Sequence, residues 1–292
     1  MSEIKKVGVV GCGLMGSGIA EVCARAGADV IAWEVSEQAA EAGRARVGKS
    51  LERGVRTGKL TAEQAQAAQG RLTFSSQLAD LADRDLVLEA AVEDPEIKTG
   101  IFRQLDQVVE QPDAILATNT SSIPIVQLAG ATRRPAQVLG VHFFNPAPVQ
   151  RLVELIPSVL TGPDTLERAR EFVTQVLGKT AIQAQDRAGF VVNALLAPYL
   201  LAAVRMVEAG HASARDIDAG MVLGCAHPMG PLTLADLIGL DTLKSIADSM
   251  YEEYKEPLYA APPLLRRMTD AGLLGRKSGR GFFEYSQGKQ AS

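Results

Sequence analysis

Three glycines between an apolar strand and a helical run constrain the fold of this chain more than any other feature. Lys6 to Val10 has the composition of a buried strand, Gly11-Cys12-Gly13-Leu14-Met15-Gly16 follows it at once, and a helical pattern runs from Ser17 to Ala26. In such a unit the first glycine permits a tight turn, the second lets the backbone approach a pyrophosphate, and the third lets the helix pack on the strand. The segment predicts a dinucleotide-binding βαβ unit in which the helix N-terminus faces the pyrophosphate.

The strand predicted next, Asp29 to Glu34, ends in a carboxylate. A carboxylate at this place accepts hydrogen bonds from the ribose hydroxyls of adenosine and repels a 2′-phosphate. No arginine directly follows Glu34, so the sequence favours NAD over NADP as the cofactor. The alternatives are an ordinary turn for the three glycines and a solvated strand end for Glu34.

Short β-rich runs alternate with helical stretches through the first 185 residues, which is typical of parallel strands joined by right-handed crossovers. From residue 186 the strand signals stop and helical periodicity takes over. We expect an α/β fold, with a Rossmann-type doubly wound sheet over residues 1–185 followed by an all-helical C-terminal domain over residues 186–292. The predicted strands are Lys6–Val10, Asp29–Glu34, Leu72–Ser75, Leu86–Glu89, Ala114–Thr118, Val138–Phe143, Leu152–Ile156 and Thr180–Gln185.

Helix ends are also legible in the sequence. Asp94 and Pro95 are typical of an N-cap and a first-turn proline before a helix, and Asp164 opens a helix that runs towards Gly178. We expect the glycine-rich tail Gly275–Tyr285 to pack back on the helices of the second domain. The further predicted helices are Glu96–Val109, Gly189–Glu208, Ser213–Gly220, Leu232–Ile238, Asp241–Glu253 and Pro263–Ala271.

Composition argues against several classes of protein. The 292 residues are 47% hydrophobic and 22% charged, with a net charge of −4, values typical of a globular protein with no basic surface for nucleic acid. The longest apolar stretch, Asn193–Val207, is interrupted by Pro198 and Arg205, so we expect no membrane span. The N-terminus shows no apolar run typical of a secretory signal, which favours a cytoplasmic location.

Three cysteines are present in the sequence. Cys12, Cys23 and Cys225 lack CxxC spacing, and an odd number leaves one unpaired. We therefore expect neither a disulfide framework nor a metal site, and we interpret all three as small packing residues.

Oxidation of an alcohol with a nicotinamide cofactor requires a base that titrates near neutral pH, and histidine is the usual residue. The chain has three histidines. His142 lies at the carboxyl end of the predicted strand Val138–Phe143, the edge where open α/β sheets place their ligands. His211 is expected in a solvated loop, and His227 in a helix-entry turn with a structural role. The alternative for His142 is a buried core residue with no part in chemistry.

A carboxylate interrupts the apolar strand predicted over Leu152–Ile156. Glu154 stands in the middle of that strand, where a charged group is tolerated only with a partner. Pairing with His142 would supply one. A carboxylate on the far imidazole nitrogen fixes the tautomer and stabilises the imidazolium that forms on proton abstraction.

Taken together, these motifs resemble those of the 3-hydroxyacyl-CoA dehydrogenase family over nearly the whole chain. The resemblance rests on Gly11–Gly16, on Thr118-Asn119-Thr120-Ser121-Ser122, on His142–Pro148 with Glu154, on Gly189-Phe190-Val191-Val192-Asn193, and on Pro228-Met229-Gly230-Pro231 followed by Gly239-Leu240-Asp241. It implies an NAD-binding domain and a helical domain that forms much of a homodimer interface. Two positions depart from the family: Ala194 stands where arginine is common, and Thr118 where serine is usual. Neither change removes a group with a named chemical role.

The resemblance implies oxidation of (S)-3-hydroxyacyl-CoA to 3-oxoacyl-CoA, with 3-hydroxybutyryl-CoA as the expected substrate and acetoacetyl-CoA reduction as the reverse reaction. It implies His142 as the base, Glu154 as its orienting partner, and Ser121 and Asn193 as polar contacts in the reacting site. The residues implied for NAD are Gly11, Gly13, Leu14, Met15, Gly16, Glu34, Glu93, Lys98, Ser121 and Asn145. Those implied for the CoA carrier lie within Lys49–Lys59, at Ser50, Arg56 and Lys59.

Each of these assignments has a structural alternative. Ser121 would be a turn residue, Asn193 a polar helix residue bonded to backbone, and Asn145 a loop cap. Glu93 and Lys98 would belong to a solvated helix start, and Lys49–Lys59 to a solvated helix face.

Two other functions compete with the family assignment. A related NAD-dependent dehydrogenase of a sugar acid would use the same glycine loop and histidine. A non-catalytic NAD-binding protein would need the loop alone, and the joint presence of Ser121, His142, Glu154 and Asn193 argues against it.

Overall fold

The computed structural model describes residues 3–285, and the chain divides into two compact units. The first unit ends at Arg187 and the second begins at Ala188, two residues beyond the boundary expected from the sequence. Each unit has its own core of buried hydrophobic side chains, as independent domains require.

An eight-stranded sheet forms the centre of the first unit, in the order β3-β2-β1-β4-β5-β6-β7-β8. β1 to β6 all pair in parallel, whereas β7 runs antiparallel to β6 and β8 pairs in parallel with β7. The strands are β1 Lys6–Val10, β2 Asp29–Trp33, β3 Leu72–Ser75, β4 Leu86–Glu89, β5 Ile115–Thr118, β6 Val138–Phe143, β7 Leu152–Pro157 and β8 Thr180–Gln183.

The predicted doubly wound sheet is confirmed, but the expectation of parallel strands throughout is wrong at β7 and β8. A parallel pair needs a crossover of a dozen or more residues, usually with a helix. The connection from Phe143 to Leu152 is too short for that, so the chain turns back and β7 pairs antiparallel. The strand positions themselves agree with the prediction to within two residues.

Helices in the first unit begin at residues whose side chains cap them. Ser36, Thr61 and Asp94 each accept hydrogen bonds from backbone N–H groups of the first turn, which satisfies donors that have no intrahelical partner. The predicted Asp94 cap is confirmed. The helices are α1 Leu14–Arg25, α2 Glu37–Arg56, α3 Ala62–Gln69, α4 Pro95–Val108, α5 Ile125–Ala129 and α6 Pro163–Glu171, the last continued by a π-helical segment Phe172–Val176.

The second unit is helical, as predicted. Its first helix begins at Val192, three residues later than expected, because Gly189 and Phe190 have φ angles of +83° and +48° that no right-handed helix accommodates. The second helix ends at Cys225, five residues beyond the predicted end. The helices are α7 Val192–Glu208, α8 Ala214–Cys225, α9 Pro231–Ile238, α10 Leu240–Tyr254 and α11 Pro263–Asp270.

Asp236 ties the C-terminal segment to the helices of the second unit. Its carboxylate is 1% exposed and accepts hydrogen bonds from the backbone N–H groups of Phe282 and Phe283 and from the Tyr285 hydroxyl, each at 2.9 Å. A methyl group on Gly281 would lie 2.0 Å from Asp236 Oδ1, so only glycine allows this approach. The predicted packing of the tail on the helices is confirmed.

The interpretation of all three cysteines as packing residues holds for two of them. Cys12 and Cys23 are fully buried, and burial raises the pKa of both thiols to about 12. Cys225 is exposed, because it ends α8 at the surface of the second unit, so that part of the interpretation is wrong.

Within residues 3–285, no helix is both long and apolar enough to cross a membrane. The same part of the chain contains no group of three or more His, Cys, Asp or Glu side chains placed to hold a metal ion.

A buried carboxylate on α4 provides a test of the packing of the first unit. Asp106 is 5% exposed and accepts hydrogen bonds from the side chains of Arg133 and Arg134, each at 3.0 Å. Burial acts to raise the pKa of Asp106, but the arginine hydrogen bonds outweigh it and hold the pKa below its ordinary value.

We expect Asp106→Asn to lower the free energy of unfolding of the first unit by about 2 kcal/mol at pH 7. A lowered folded-state pKa gives stability that is present above the unfolded-state pKa of about 3.9 and is lost as the pH falls through the folded-state value. The difference between wild type and variant should therefore shrink as the pH falls below the unfolded-state pKa of about 3.9. Urea unfolding followed by the fluorescence of Trp33, the single tryptophan, measures it. Glu110→Gln, at an exposed carboxylate, is the matched control, and equal effects of the two changes would contradict the prediction.

Candidate active site

The glycine loop joins β1 to α1 with the geometry that an anion site needs. Gly11 has φ of +91°, and a methyl group there would lie 2.8 Å from the Ala90 carbonyl oxygen. A methyl group on Gly16 would lie 1.7 Å from the Gly11 carbonyl oxygen, so Gly16 is what lets α1 start against the end of β1. Gly13 has no neighbour within 4 Å of such a methyl group, which leaves open space in front of the helix.

The N-terminus of α1 carries no side-chain cap and no acidic residue in its first turn. The first N–H groups of a helix have no intrahelical acceptor, and here no capping side chain accepts from them. The helix dipole favours a negative group at this place. Leu14 is 69% exposed and Met15 is half-buried, so both stand at the surface of the open space. These observations fit a pyrophosphate at the position expected for NAD.

Glu34 follows the last residue of β2 and turns towards the glycine loop. Its carboxylate accepts hydrogen bonds from the backbone N–H of Cys12 at 2.6 Å and from that of Val35 at 3.2 Å. Two backbone donors hold the carboxylate beside the loop, where it can meet the ribose of a bound dinucleotide. The alternative for Glu34, a side chain that is only solvated at the end of a strand, does not fit a carboxylate held by two backbone N–H groups.

Arg46 is a residue of this region that the sequence did not reveal. It lies on α2, and its guanidinium donates to the Cys12 carbonyl oxygen at 2.8 Å. The prediction from sequence concerned only the residues directly after Glu34. In the structure, Gly43 of α2 packs on Cys12, and this contact brings Arg46, about one helix turn later, to the same loop. A cation and the carboxylate of Glu34 therefore both contact Cys12 of the glycine loop.

His142 and Glu154 face each other across the antiparallel pair β6 and β7, in register. The Nδ1 atom of His142 lies 2.8 Å from Glu154 Oε2, with 6% of the histidine and none of the glutamate exposed. The predicted pairing is present. Because a carboxylate only accepts hydrogen bonds, Nδ1 carries the proton and the lone pair is on Nε2. The Phe144 ring packs on the imidazole with 4.7 Å between ring centroids.

The other two histidines lie in the second unit, in the places expected for them. His211 is exposed between α7 and α8. His227 Nδ1 lies 3.1 Å from the Tyr199 hydroxyl, which supports a structural role for that ring.

Ser121 lies in a turn at the carboxyl end of β5, and Glu93 holds that turn. One carboxylate oxygen of Glu93 accepts the Thr120 hydroxyl and the backbone N–H of Ser121, the latter at 3.0 Å, and lies 3.5 Å from Ser121 Oγ. Lys98 is 1% exposed and lies 3.4 Å from the other oxygen of Glu93. The solvated helix start considered for Lys98 is therefore wrong, because its ammonium is enclosed among polar partners.

The remaining expected residues are at the surface of their units. Asn145 is exposed directly after β6, on the same edge of the sheet as His142. Ser50 lies on α2 and is half-buried. Arg56, the last residue of α2, and Lys59, which follows the helix, are both exposed. Asn193 belongs to the second unit, in the first turn of α7, and is half-buried.

Two further polar residues of the carboxyl edge were missed by sequence inspection. Glu89, the last residue of β4, is fully buried and lies 2.6 Å from Lys98. Asn119 accepts the Phe143 backbone N–H at 2.8 Å and so ties β5 to β6. The signal for Glu89 was available, since a carboxylate closes the apolar run Leu86–Leu88, the same pattern that singled out Glu154.

Models of two protein domains match the chain. The NAD-binding domain of 3-hydroxyacyl-CoA dehydrogenase matches residues 6–187, and the C-terminal domain of the same enzyme matches residues 189–285. The chain belongs to the 3-hydroxyacyl-CoA dehydrogenase family. The family expected from the motifs is confirmed, and with it an NAD-dependent oxidoreductase with an acyl-CoA substrate.

Individual relatives of this 3-hydroxyacyl-CoA dehydrogenase cover it almost end to end. A 3-hydroxybutyryl-CoA dehydrogenase of Mycobacterium tuberculosis is 58% identical over 282 residues, 97% of this chain and 99% of the relative. The crystal structure of M. tuberculosis FadB2 has a TM-score of 0.97 at 58% identity, covering 98% of this chain and all of that one. The (S)-3-hydroxybutyryl-CoA dehydrogenase PaaH1 of Ralstonia eutropha has a TM-score of 0.91 at 44% identity, covering 97% of this chain and all of that one.

Two glycines of the loop should respond differently to the same substitution in this dehydrogenase. We expect Gly13→Ala to leave the folded protein as stable as wild type, because the new methyl group meets nothing within 4 Å, but to weaken NADH binding about tenfold by occupying the pyrophosphate space. Gly16→Ala should destabilise the first unit, because its methyl group collides with the Gly11 carbonyl. Thermal unfolding and titration with NADH, followed by energy transfer from Trp33, separate the two effects. Unchanged NADH affinity in Gly13→Ala would contradict the assignment of this space.

Proposed function

We propose that this dehydrogenase oxidises (S)-3-hydroxybutyryl-CoA to acetoacetyl-CoA with NAD, and catalyses the reverse reduction, with His142 as the catalytic base. The names of the close relatives support the substrate. The observation that carries the chemistry is the buried pair of His142 and Glu154, 2.8 Å apart at the edge of the sheet where ligands bind.

His142 takes the proton of the 3-hydroxyl group through Nε2, since Glu154 holds the proton of Nδ1. The carboxylate then stabilises the imidazolium in a site that excludes most water, where an unpaired charge would be costly. NAD, when bound, accepts the hydride that leaves C3 of the substrate. Ser121 and Asn193 provide polar groups for the charge that develops on the 3-oxygen or the thioester carbonyl.

His142→Ala should lower kcat for acetoacetyl-CoA reduction by about 10²- to 10⁴-fold, the contribution typical of a general acid or base. Glu154→Gln should lower kcat by about 10²-fold, since an amide cannot offset the imidazolium charge. NADH oxidation followed at 340 nm measures both. NADH affinity, measured by energy transfer from Trp33, should change less than about twofold in either variant.

The matched control is His211→Ala, which removes an exposed histidine of the second unit and should leave kcat unchanged. A feeble wild-type activity that survives His142→Ala would contradict the proposed base and favour a non-catalytic role for the chain. NADH turnover with free hydroxy or oxo acids but not with acetoacetyl-CoA would favour the sugar-acid alternative.

Glu34 is proposed to select NAD over NADP, and its removal should narrow that selectivity. In Glu34→Ala the repulsion of a 2′-phosphate disappears while Arg46 remains beside the loop. We expect the ratio of kcat/KM for NADH over NADPH to fall by at least about tenfold. Glu37→Ala, on an exposed residue of the first turn of α2, is the control. A ratio that does not move in Glu34→Ala would reject the ribose assignment.

The remaining predictions concern partners. Ser50, Arg56 and Lys59 are proposed contacts for the CoA carrier, supported by two exposed cations at the end of α2 that can meet its phosphates.

A homodimer through the second unit is supported by Leu195 and Leu223, which are 74% and 84% exposed on α7 and α8. The cytoplasmic location and the lack of nucleic-acid or membrane partners remain predictions from the sequence.

A further inference from the structure

Glu89 is a fully buried carboxylate for which the proposed reaction has no direct use. It ends β4 between Val10 of β1 and Thr118 of β5, in the middle of the sheet, with none of its surface exposed. A carboxylate in such a place is tolerated only if it is paired and hydrogen-bonded. Glu89 has three partners: Lys98 Nζ at 2.6 Å and the Ala91 N–H at 2.6 Å on one oxygen, and the Thr118 hydroxyl at 2.7 Å on the other.

Lys98 is shared unequally between two carboxylates. Its Nζ atom lies 2.6 Å from Glu89 and 3.4 Å from Glu93, and it is 3.5 Å from the Ala91 carbonyl oxygen. The short contact is with the buried carboxylate and the long one with the half-exposed carboxylate. Glu93 faces this ammonium with Oε2 and uses Oε1 for the turn that carries Ser121, so the position of Lys98 bears on how that carboxylate is oriented.

Removal of the charge on Glu89 would change this division. An ammonium that is 1% exposed needs a negative partner, and Glu93 is the other carboxylate in contact with it within the described residues. Lys98 would close on Glu93 and draw it from the N–H of Ser121 and the hydroxyl of Thr120. The backbone of the Ser121 turn would then lose the acceptor of the Ser121 N–H, although Thr118 Oγ1 would still accept the Thr120 N–H.

We propose that Glu89 is a positioning residue for the cofactor site, which acts through Lys98. It holds the ammonium back from Glu93, so that Lys98, Glu93 and Ser121 are set in the arrangement that receives the nicotinamide half of NAD. This inference rests on the proposed placement of these three residues along the cofactor, and not on the identity of the acyl-CoA substrate.

The test is a double-mutant cycle on NADH binding, with Glu89→Gln, Lys98→Met and the combined variant. Glu89→Gln should raise the Kd for NADH about tenfold, the scale of one lost charge-assisted hydrogen bond. In the Lys98→Met background the same change should raise the Kd less than about twofold, because the group through which Glu89 acts is gone. Energy transfer from Trp33 gives the Kd without turnover, so a wild type that failed to reduce acetoacetyl-CoA would defeat the proposed function and leave this test intact.

Steady-state kinetics add a readout that a merely structural role would not move. In Glu89→Gln the KM for NADH should rise about tenfold while the KM for acetoacetyl-CoA changes less than about twofold. The matched control is Asp106→Asn. Asp106 is another buried carboxylate, lies on α4 away from the glycine loop, and is bonded by two arginine side chains. This change should lower stability and leave the Kd for NADH within about twofold of wild type.

Thr118→Val keeps the proposal testable if Glu89→Gln does not fold. It leaves both charges in place but removes the hydrogen bond that orients Glu89 and the one that Thr118 Oγ1 accepts from the Thr120 N–H at 3.2 Å. It should raise the Kd for NADH about threefold with Lys98 present and clearly less in the Lys98→Met background, and the difference between the two backgrounds is the part that acts through Glu89. An unchanged Kd in Thr118→Val and Glu89→Gln, or effects of Glu89→Gln and Lys98→Met that multiply in the combined variant, would overturn the inference.

Discussion

Compensation of buried charge at the carboxyl edge of the sheet is the constraint on which the site depends. Glu89 and Glu154 are both completely enclosed, and an isolated carboxylate in such surroundings would protonate or disrupt the fold. Each is paired with a cation or a group that can become one, Lys98 in the first case and His142 in the second. The other buried residues of the strands are apolar apart from Thr118, which donates to Glu89, so these pairs fix where buried charged groups stand at this edge of the sheet.

The two pairs are stabilised by the same interaction, a buried carboxylate bonded to a cationic or basic side chain, but different roles are proposed for them. The pair of Glu154 and His142 spans neighbouring antiparallel strands in register, and its hydrogen bond determines which nitrogen of the proposed base carries the proton. The pair of Glu89 and Lys98 joins a strand to the first turns of α4 and extends through Glu93 to the turn that bears Ser121. The groups proposed for catalysis and those proposed for cofactor placement are therefore on different strands of the sheet, although both include a fully buried carboxylate.

Much of the fold and part of the site could be predicted because they depend on residues that are close together in the sequence. The apolar runs of the strands, the Asp94 cap and the glycine loop each follow from neighbours a few residues apart, and the structure agrees with them within two or three residues. The pairing of His142 with Glu154 could also be predicted, because a glutamate in an apolar strand requires a partner. The parallel direction predicted for β7 and β8 was wrong because an apolar run does not by itself give strand direction. The short connection from Phe143 to Leu152 decides it, since a parallel crossover needs a longer one.

What the sequence by itself determined was the identity of the elements and the chemistry of the groups: a dinucleotide loop, a histidine at a strand end, and a glutamate that could not stand alone. What only the tertiary structure decided was which distant groups meet. Lys98 lies nine residues from Glu89, and Arg46 lies 34 residues from Cys12, yet each pair is in hydrogen-bond contact. Such contacts depend on how a helix returns to the sheet edge, because side-chain direction is set by helix packing rather than by spacing along the chain.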